Sequence, residues 1–282
     1  MPLALPEGQR LAVNIGADFD AHSVWMGTFG LTTPSYLSRG EFGAEVGVPR
    51  LLELFGRYSI RATWCTPGHT LETFPERVHQ IVDAGHEIAA HGCYHESVPK
   101  LDVDTERRLM GRQLEQHAQV VGRRPRGYRS PAWDFTGHTL ALLEEFGFDW
   151  DSSLMGRDFA PYHPRPVVRV NWESGSEYGP PSPILEFPVT WFLDDFPAVE
   201  YIPGANPGPG PAEELFTRWR DTFDYARQHV AGGVMAITVH PQTIGRAHLI
   251  MRFERLLEYM AGFSDVWFAP LSDIFATWNE EQ

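Results

Sequence analysis

Apolar and polar positions along the chain follow two alternating rhythms. Segments 11–17, 60–66, 87–90, 127–130, 148–153, 184–190, 234–239 and 265–268 are short, mostly apolar runs that read as strands. Between them, apolar residues recur at helical spacing. A helix opened by Pro49 carries Leu51, Leu52, Leu54 and Phe55. Pro75 to Ala84 turns Val78, Ile81 and Val82 inward and stops at Gly85. Asp102 to Val121 is the longest helical pattern, and Gly122 ends it. Thr136 reads as the N-cap of a helix running to Phe146, closed by Gly147. Pro211 starts a helix carrying Leu215, Trp219, Phe223 and Ala226, and helices at 247–261 and 271–279 complete the set.

Three stretches break the rhythm. Residues 21–44 are polar and Gly-rich with scattered aromatics and read as a long loop, of a length that is usually functional. Residues 156–182 are irregular, with one strand at 167–172, and 203–211 form a Gly/Pro loop. Strand and helix alternate seven or eight times, which predicts an α/β fold with a parallel sheet closed, or nearly closed, into a barrel. No linker divides the chain, so residues 1–282 are expected to form a single domain.

Composition then removes whole classes of function. The chain has a hydrophobic fraction of 43% and a formal net charge of −14. That acidic balance, with no Lys/Arg cluster, argues against a nucleic-acid partner. No run reaches the ~20 apolar residues that a membrane helix needs. The N-terminal segment lacks a basic region followed by an apolar core, so a cytoplasmic location is expected. Cys65 and Cys93 read as reduced thiols, with Cys93 a packing residue.

The chemistry gathers where strands end. His91-Gly92-Cys93-Tyr94-His95 follows the strand at 87–90. Two imidazoles four apart share a face if the segment makes a helical turn, and both can then reach one ion. A lone H-x-x-x-H is a weak signal. Asp18 and Asp20, Arg129 and His240 sit at three further strand ends, and in a parallel barrel all four ends share one rim. Asp20, His91 and His95 would form a His₂-carboxylate metal site with an open position. Asp18 would accept a proton from the attacking water, with Arg129 holding it ionised and oriented. His240 would protonate the leaving nitrogen. Singly, each residue has a structural reading as a cap, an ion pair or a strand terminator; together on one rim those readings must all hold at once.

At these residues the chain resembles the polysaccharide deacetylase (NodB-homology, carbohydrate esterase family 4) superfamily, through Asp18 and Asp20, His91 and His95, Arg129-Ser130-Pro131 and His240. The resemblance extends over nearly the whole chain to one subgroup: cytoplasmic peptidoglycan-deacetylase-like proteins, cyclic imide hydrolases and allantoinase-like proteins. Ser38-Arg39-Gly40-Glu41-Phe42, Pro67-Gly68-His69, Asp83-Ala84-Gly85-His86-Glu87 and Asp151-Ser152-Ser153-Leu154-Met155 are among the stretches that carry it. It implies a NodB-like distorted (β/α) barrel of seven or eight parallel strands. It also implies amide hydrolysis on a divalent metal, usually Zn²⁺, with the first Asp as base, the second Asp and two His as ligands, and the late His as acid. Homotetramers are implied for the subgroup, with 21–44 as a contact surface. Allantoinase-like members lack the full metal pair, so the intact His91/His95 points away from them. Two departures stand out: Phe19 separates the aspartates, and Ala132 is inserted before Trp133. Both weigh against a sugar-binding groove.

The expected substrate is therefore a cyclic imide of the succinimide or glutarimide type, opened to a half-amide. Polysaccharide or peptidoglycan N-deacetylation is the alternative. The segments 21–44 and 156–182 are expected to roof the barrel mouth. Trp133, Trp191 and Glu41 are the expected substrate contacts, with Trp25 and Phe192 nearby. A non-catalytic binding protein on the same scaffold is a third reading, which the complete residue set disfavours.

Overall fold

The computed structural model describes residues 3–278. Eight strands form one sheet: Leu11–Asp18 (β1), Thr63–Thr66 (β2), Glu87–Ala90 (β3), Gly127–Tyr128 (β4), Trp150–Asp151 (β5), Leu185–Glu186 (β6), Gly233–Val239 (β7) and Val266–Phe268 (β8). The order is β7-β1-β2-β3-β4-β5-β6, with β8 beside the start of β1, and every pairing is parallel. β1 is buried along its whole length and pairs with β7 from Leu11↔Gly233 to Ala17↔Val239. The arc does not close, because β6 and β7 do not pair with each other. A bridge at Asp194↔Thr238 and a hydrogen bond from Val234 N–H to Phe159 O (2.9 Å) cross the seam. The expected barrel of seven or eight parallel strands is thus present in an open, distorted form.

The two-residue period of β1 sorts its side chains. Leu11, Val13, Ile15 and Ala17 point outward into the main core beneath the helices. Ala12 points inward with Cys65, Ala89, Trp150 and Val234, and Leu271 and Ile274 of the last helix plug that lower end. Above Ala12 the inner face turns polar: Asn14, Gly16, Asp18. Asn14 donates to Thr63 Oγ1 (3.1 Å) and Ala269 O (3.0 Å). The site lies at the upper end.

Several expected elements are altered. Residues 21–44 are mostly helical rather than a loop: Val24–Thr28 and Gly43–Gly47 are π-helical turns flanking the helix Pro34–Phe42. Glycine makes this stretch look irregular, yet Gly40, Gly43 and Gly47 share a face that lies against other backbone. A Cβ there would come within 2.4 Å of Ala21, 3.1 Å of Gln242 and 2.1 Å of Pro241 respectively. Val24 and Trp25 are buried within this same chain, whereas residues 32–35, 38 and 41 of the stretch are exposed. The strands expected at 148–153 and 184–190 shrink to two residues each. Ser153 and Leu154 give their N–H groups to the Glu186 carboxylate (3.0 and 2.9 Å) instead of a neighbouring strand. The helix expected from Thr136 spans Thr139–Glu145; the Thr136 hydroxyl donates to Glu106 (2.6 Å) and accepts from His138 N–H (2.9 Å) in the turn that precedes it. The last helix ends at Phe275; residue 279 lies outside the described residues. Residues 167–178 form a hairpin, Val167–Arg169 with Glu177–Tyr178, whose Trp172 is 96% exposed. None of its residues lines the cavity at the barrel mouth.

Candidate metal centre

β1 delivers Asp18 on its inner face, and the chain bends over the rim to place Asp20. β3 ends at Ala90 and leads directly into His91. The His91–His95 segment is not the helical turn that its spacing allows. It is a loop with left-handed backbone at Gly92 (φ 73°) and at His95 (φ 59°). A side chain at Gly92 would meet Pro131 at 2.7 Å. Glu96 holds the loop from below, accepting from the N–H groups of Cys93 (3.0 and 2.9 Å) and Tyr94 (2.9 Å). The Cys93 thiol points away from the two imidazoles toward Gln116 Oε1 (3.3 Å).

The loop turns both imidazoles onto Asp20. His91 Nε2 lies 3.4 Å and His95 Nε2 3.8 Å from Asp20 Oδ1. His91 Nδ1 donates to Arg129 O (2.7 Å), and Thr28 Oγ1 lies 2.5 Å from His95 Nδ1. Such partners on the far nitrogen leave Nε2 with its lone pair facing the site. Asp20 Oδ1 and His91 Nε2 are fully buried with no hydrogen-bond partner. Leaving one such group unpaired costs about 1–3 kcal/mol. One potential ligand atom from each of Asp20, His91 and His95 lies within 4.8 Å of the others. Burial opposes a charged Asp20, but His95, His91 and His240 outweigh it and hold the carboxyl at about 2. Burial, reinforced by His91 against the pull of Asp20, holds His95 at about 4, as a neutral ligand must be. These donors fit a divalent cation, two imidazoles and one carboxylate being a common set.

Arg129 crosses the barrel interior fully buried. Its guanidinium donates to Asp18 Oδ1 (2.7 Å), Ser152 O (2.9 Å), Ser152 Oγ (3.0 Å) and Thr238 Oγ1 (3.2 Å). It fits only because residue 16 is glycine: a Cβ there would lie 2.7 Å from Nη1. Asp18 Oδ2 is left 3.8 Å from His91 Nε2.

His240 follows β7. Its Nδ1–H donates to Asp195 Oδ1 (2.8 Å) and lies 3.4 Å from Asp194 Oδ1, and its Nε2 lies 3.7 Å from Asp20 Oδ2. Burial works against its charge, yet Asp194, Asp195 and Asp20 together push its pKa well above the ordinary imidazole range. Asp194 and Asp195 were not singled out from sequence as supports for His240. The available signal was an acidic pair following the strand at 184–190. Gln242, whose Nε2 approaches Asp20 Oδ2 (3.4 Å), had no sequence signal.

Asp18, Asp20, His91, His95, Asp194 and His240 line a cavity of about 270 Å³, small beside typical ligand pockets. Its roof comes from Val24, Phe29, Phe196 and Ile202, so residues 24–29 and 196–206 cover the mouth rather than 156–182. Trp133 and Trp191 form one wall, stacked at 4.2 Å. Trp133 follows Ala132, and both have left-handed backbone (φ 54° and 53°) of the strained kind that clusters at functional sites. Glu41 is exposed on the outside of its helix and does not line this cavity. Trp25 is buried behind the roof. Phe192 faces a wider groove of about 730 Å³ at the barrel seam, which holds no imidazole.

The sequence pattern of the polysaccharide deacetylase family matches residues 41–150. A peptidoglycan deacetylase from Helicobacter pylori is 33% identical over 287 residues, covering 96% of this chain and 98% of that protein. A peptidoglycan deacetylase-like protein, FGM2, from Gibberella zeae is 34% identical, covering 92% of this chain and 84% of that protein. Among solved structures, a provisionally named polysaccharide deacetylase from Mycobacterium smegmatis superposes with a TM-score of 0.85 at 34% identity, covering 98% of this chain and 92% of that one. PuuE allantoinase shares the fold (TM-score 0.79, 24% identity, 99% and 93% coverage).

Proposed function

Because this chain belongs to the polysaccharide deacetylase family, we propose that it hydrolyses an amide C–N bond with a divalent cation held by Asp20, His91 and His95. It is a hydrolase of the deacetylase and amidohydrolase kind. The observation that carries the reading is the pair of buried, unpartnered atoms, Asp20 Oδ1 and His91 Nε2, between an Asp18–Arg129 pair and a His240–Asp195 pair. We assign the cation as zinc, which suits two imidazoles and one carboxylate. When bound, it supplies Lewis acidity toward a carbonyl oxygen and lowers the pKa of a nearby water.

The residues then divide the proton transfers. Asp18, fixed by Arg129, accepts a proton as a water oxygen attacks the amide carbon. His240, kept protonated by Asp194 and Asp195, gives a proton to the nitrogen as the C–N bond breaks. The carboxylic acid formed passes its remaining proton to the amine, so a carboxylate and an ammonium leave, and solvent returns the proton from Asp18 to His240. Phe29, Phe196 and the Trp133–Trp191 wall exclude water around the reacting carbonyl.

The substrate best supported by the named relatives is an N-acetylated amino sugar of the peptidoglycan kind, so the order expected from sequence is reversed. The cyclic imide remains as a second reading, favoured by the roofed, apolar cavity of about 270 Å³. The test is product formation from muropeptide fragments and N-acetylglucosamine oligomers beside succinimide and glutarimide, with zinc-loaded and chelator-stripped protein. Metal-dependent acetate release from the sugars supports the first reading; metal-dependent imide opening supports the second. Activity that survives stripping overturns the metal assignment. Bound zinc with no turnover of either class favours the binding-protein reading. The homotetramer is also retained as a proposal, with exposed Val168, Val170 and Trp172 of the hairpin as its candidate contact. Light scattering that reports a monomer removes it.

A further inference from the structure

Thr28 belongs to the roof of the cavity, on the π-helical turn Val24–Thr28, and nothing in its sequence surroundings marks it as functional. Its hydroxyl meets two atoms of one residue. It donates to His95 O (3.1 Å) and lies 2.5 Å from His95 Nδ1. A hydroxyl has one hydrogen and two lone pairs. The carbonyl can only accept, so the arrangement that satisfies both contacts gives the hydroxyl hydrogen to His95 O and has the oxygen accept from Nδ1–H. His95 is thereby held as the Nδ1–H tautomer, with the Nε2 lone pair facing Asp20.

Two backbone features bring these atoms together. His95 is left-handed (φ 59°), which carries its carbonyl and its ring to the same side. Gly27, just before Thr28, lies so close to the histidine loop that a Cβ would sit 2.1 Å from Tyr94 O and 2.5 Å from His95 O. The roof therefore docks on the metal loop through backbone, and Thr28 is the side chain that makes the connection.

We propose that Thr28 is a positioning residue for the cation: it selects the His95 tautomer and ties the roof of the pocket to the metal ligand set. The inference rests on the metal reading above and extends it. Each proposed ligand then has its own partner: Arg129 O for His91, Gln242 for Asp20 and Thr28 for His95. Thr28 differs from the other two because it also touches the substrate cavity, so the group that shapes the roof also governs the metal.

The test is zinc affinity measured by competition with a chromophoric chelator, on wild type, Thr28→Val and Thr28→Ser. Loss of a partner to a ligating histidine weakens metal binding by about 10- to 100-fold. Thr28→Val, which keeps the shape and removes the hydroxyl, is expected to lose that much, and Thr28→Ser to restore it. Wild-type affinity in Thr28→Val overturns the proposal. Wild-type protein that binds no divalent metal overturns the metal reading itself, which is a separate outcome. A second readout needs no metal. Long-range ¹H–¹⁵N spectra of stripped wild-type protein, with His95 assigned by its loss in His95→Gln, should show the Nδ1–H tautomer. An Nε2–H tautomer overturns the assignment.

Discussion

Replacing Gly16 by alanine tests whether Arg129 is the post on which Asp18 is mounted. Gly16 lies within a strand and needs no left-handed backbone, so the strand alone would tolerate alanine. With nothing else nearby, Gly→Ala would stabilise by about 0.4–1 kcal/mol through the unfolded chain. Here the added Cβ would meet Arg129 at 2.7 Å (Nη1), 3.1 Å (Nη2) and 3.3 Å (Cζ). A flexible side-chain end can usually swing away. This guanidinium is fully buried and tied to Asp18, Ser152 and Thr238, so giving way means losing those bonds. Breaking a buried ion pair costs about 3–5 kcal/mol. A displacement of about an ångström at a reacting group costs about 100-fold in rate. Gly16→Ala is therefore expected to lose about 3 kcal/mol or more in urea unfolding and about 100-fold in kcat. In an Arg129→Leu background, where Asp18 is already unpaired, the same substitution should cost little, which a double-mutant cycle measures. Wild-type stability and rate in Gly16→Ala, or strictly additive losses in the double variant, would refute the reasoning.

Three further perturbations probe separate parts of the molecule. Asp195→Asn removes the carboxylate that accepts from His240 Nδ1, so the pKa of His240 should fall and the alkaline limb of the rate profile should move to lower pH; an unmoved limb argues that His240 does not supply the proton. Arg39 joins the two halves of the roof, since it lies 4.1 Å over Trp25 and binds Glu200 and Tyr201 O (2.8 Å). Arg39→Ala should loosen the roof and raise activity on longer sugar oligomers relative to small amides, and an unchanged ratio of kcat/KM values counts against this. Burial holds His117 at about 3, against an opposing pull from the Thr66 backbone. A lowered histidine pKa gives stability that is present above about 6.5 and is lost as the pH falls toward 3, because the unfolded chain then binds the extra proton. Wild type should accordingly lose on the order of a few kcal/mol relative to His117→Leu across that range, and parallel stability curves would contradict it.

The helical and strand periods of the chain were enough to predict a parallel α/β barrel, because burial on both faces leaves apolar runs that few other folds need. The residues of the rim were legible for a related reason. Asp18, His91, Arg129 and His240 are polar groups at the ends of apolar strands, where an ordinary core would reject them. What could not be read depended on long-range contacts. The histidine loop takes its shape from Glu96 below it and Gly27 above it, and not from a helical turn. Gly40, Gly43 and Gly47 look like loop composition, yet they are the face on which a helix lies against backbone distant in sequence. Glu41 sits in the same run but points outward, since neighbours on a helix face different ways. Asp195, Gln242 and Thr28 contact residues 45, 222 and 67 positions away along the chain. Sequence determined which residues stand as candidates for the chemistry, because charge in an apolar setting is a local signal. Tertiary structure alone decided which of their atoms face one another, because orientation is set by partners that the linear chain keeps far apart.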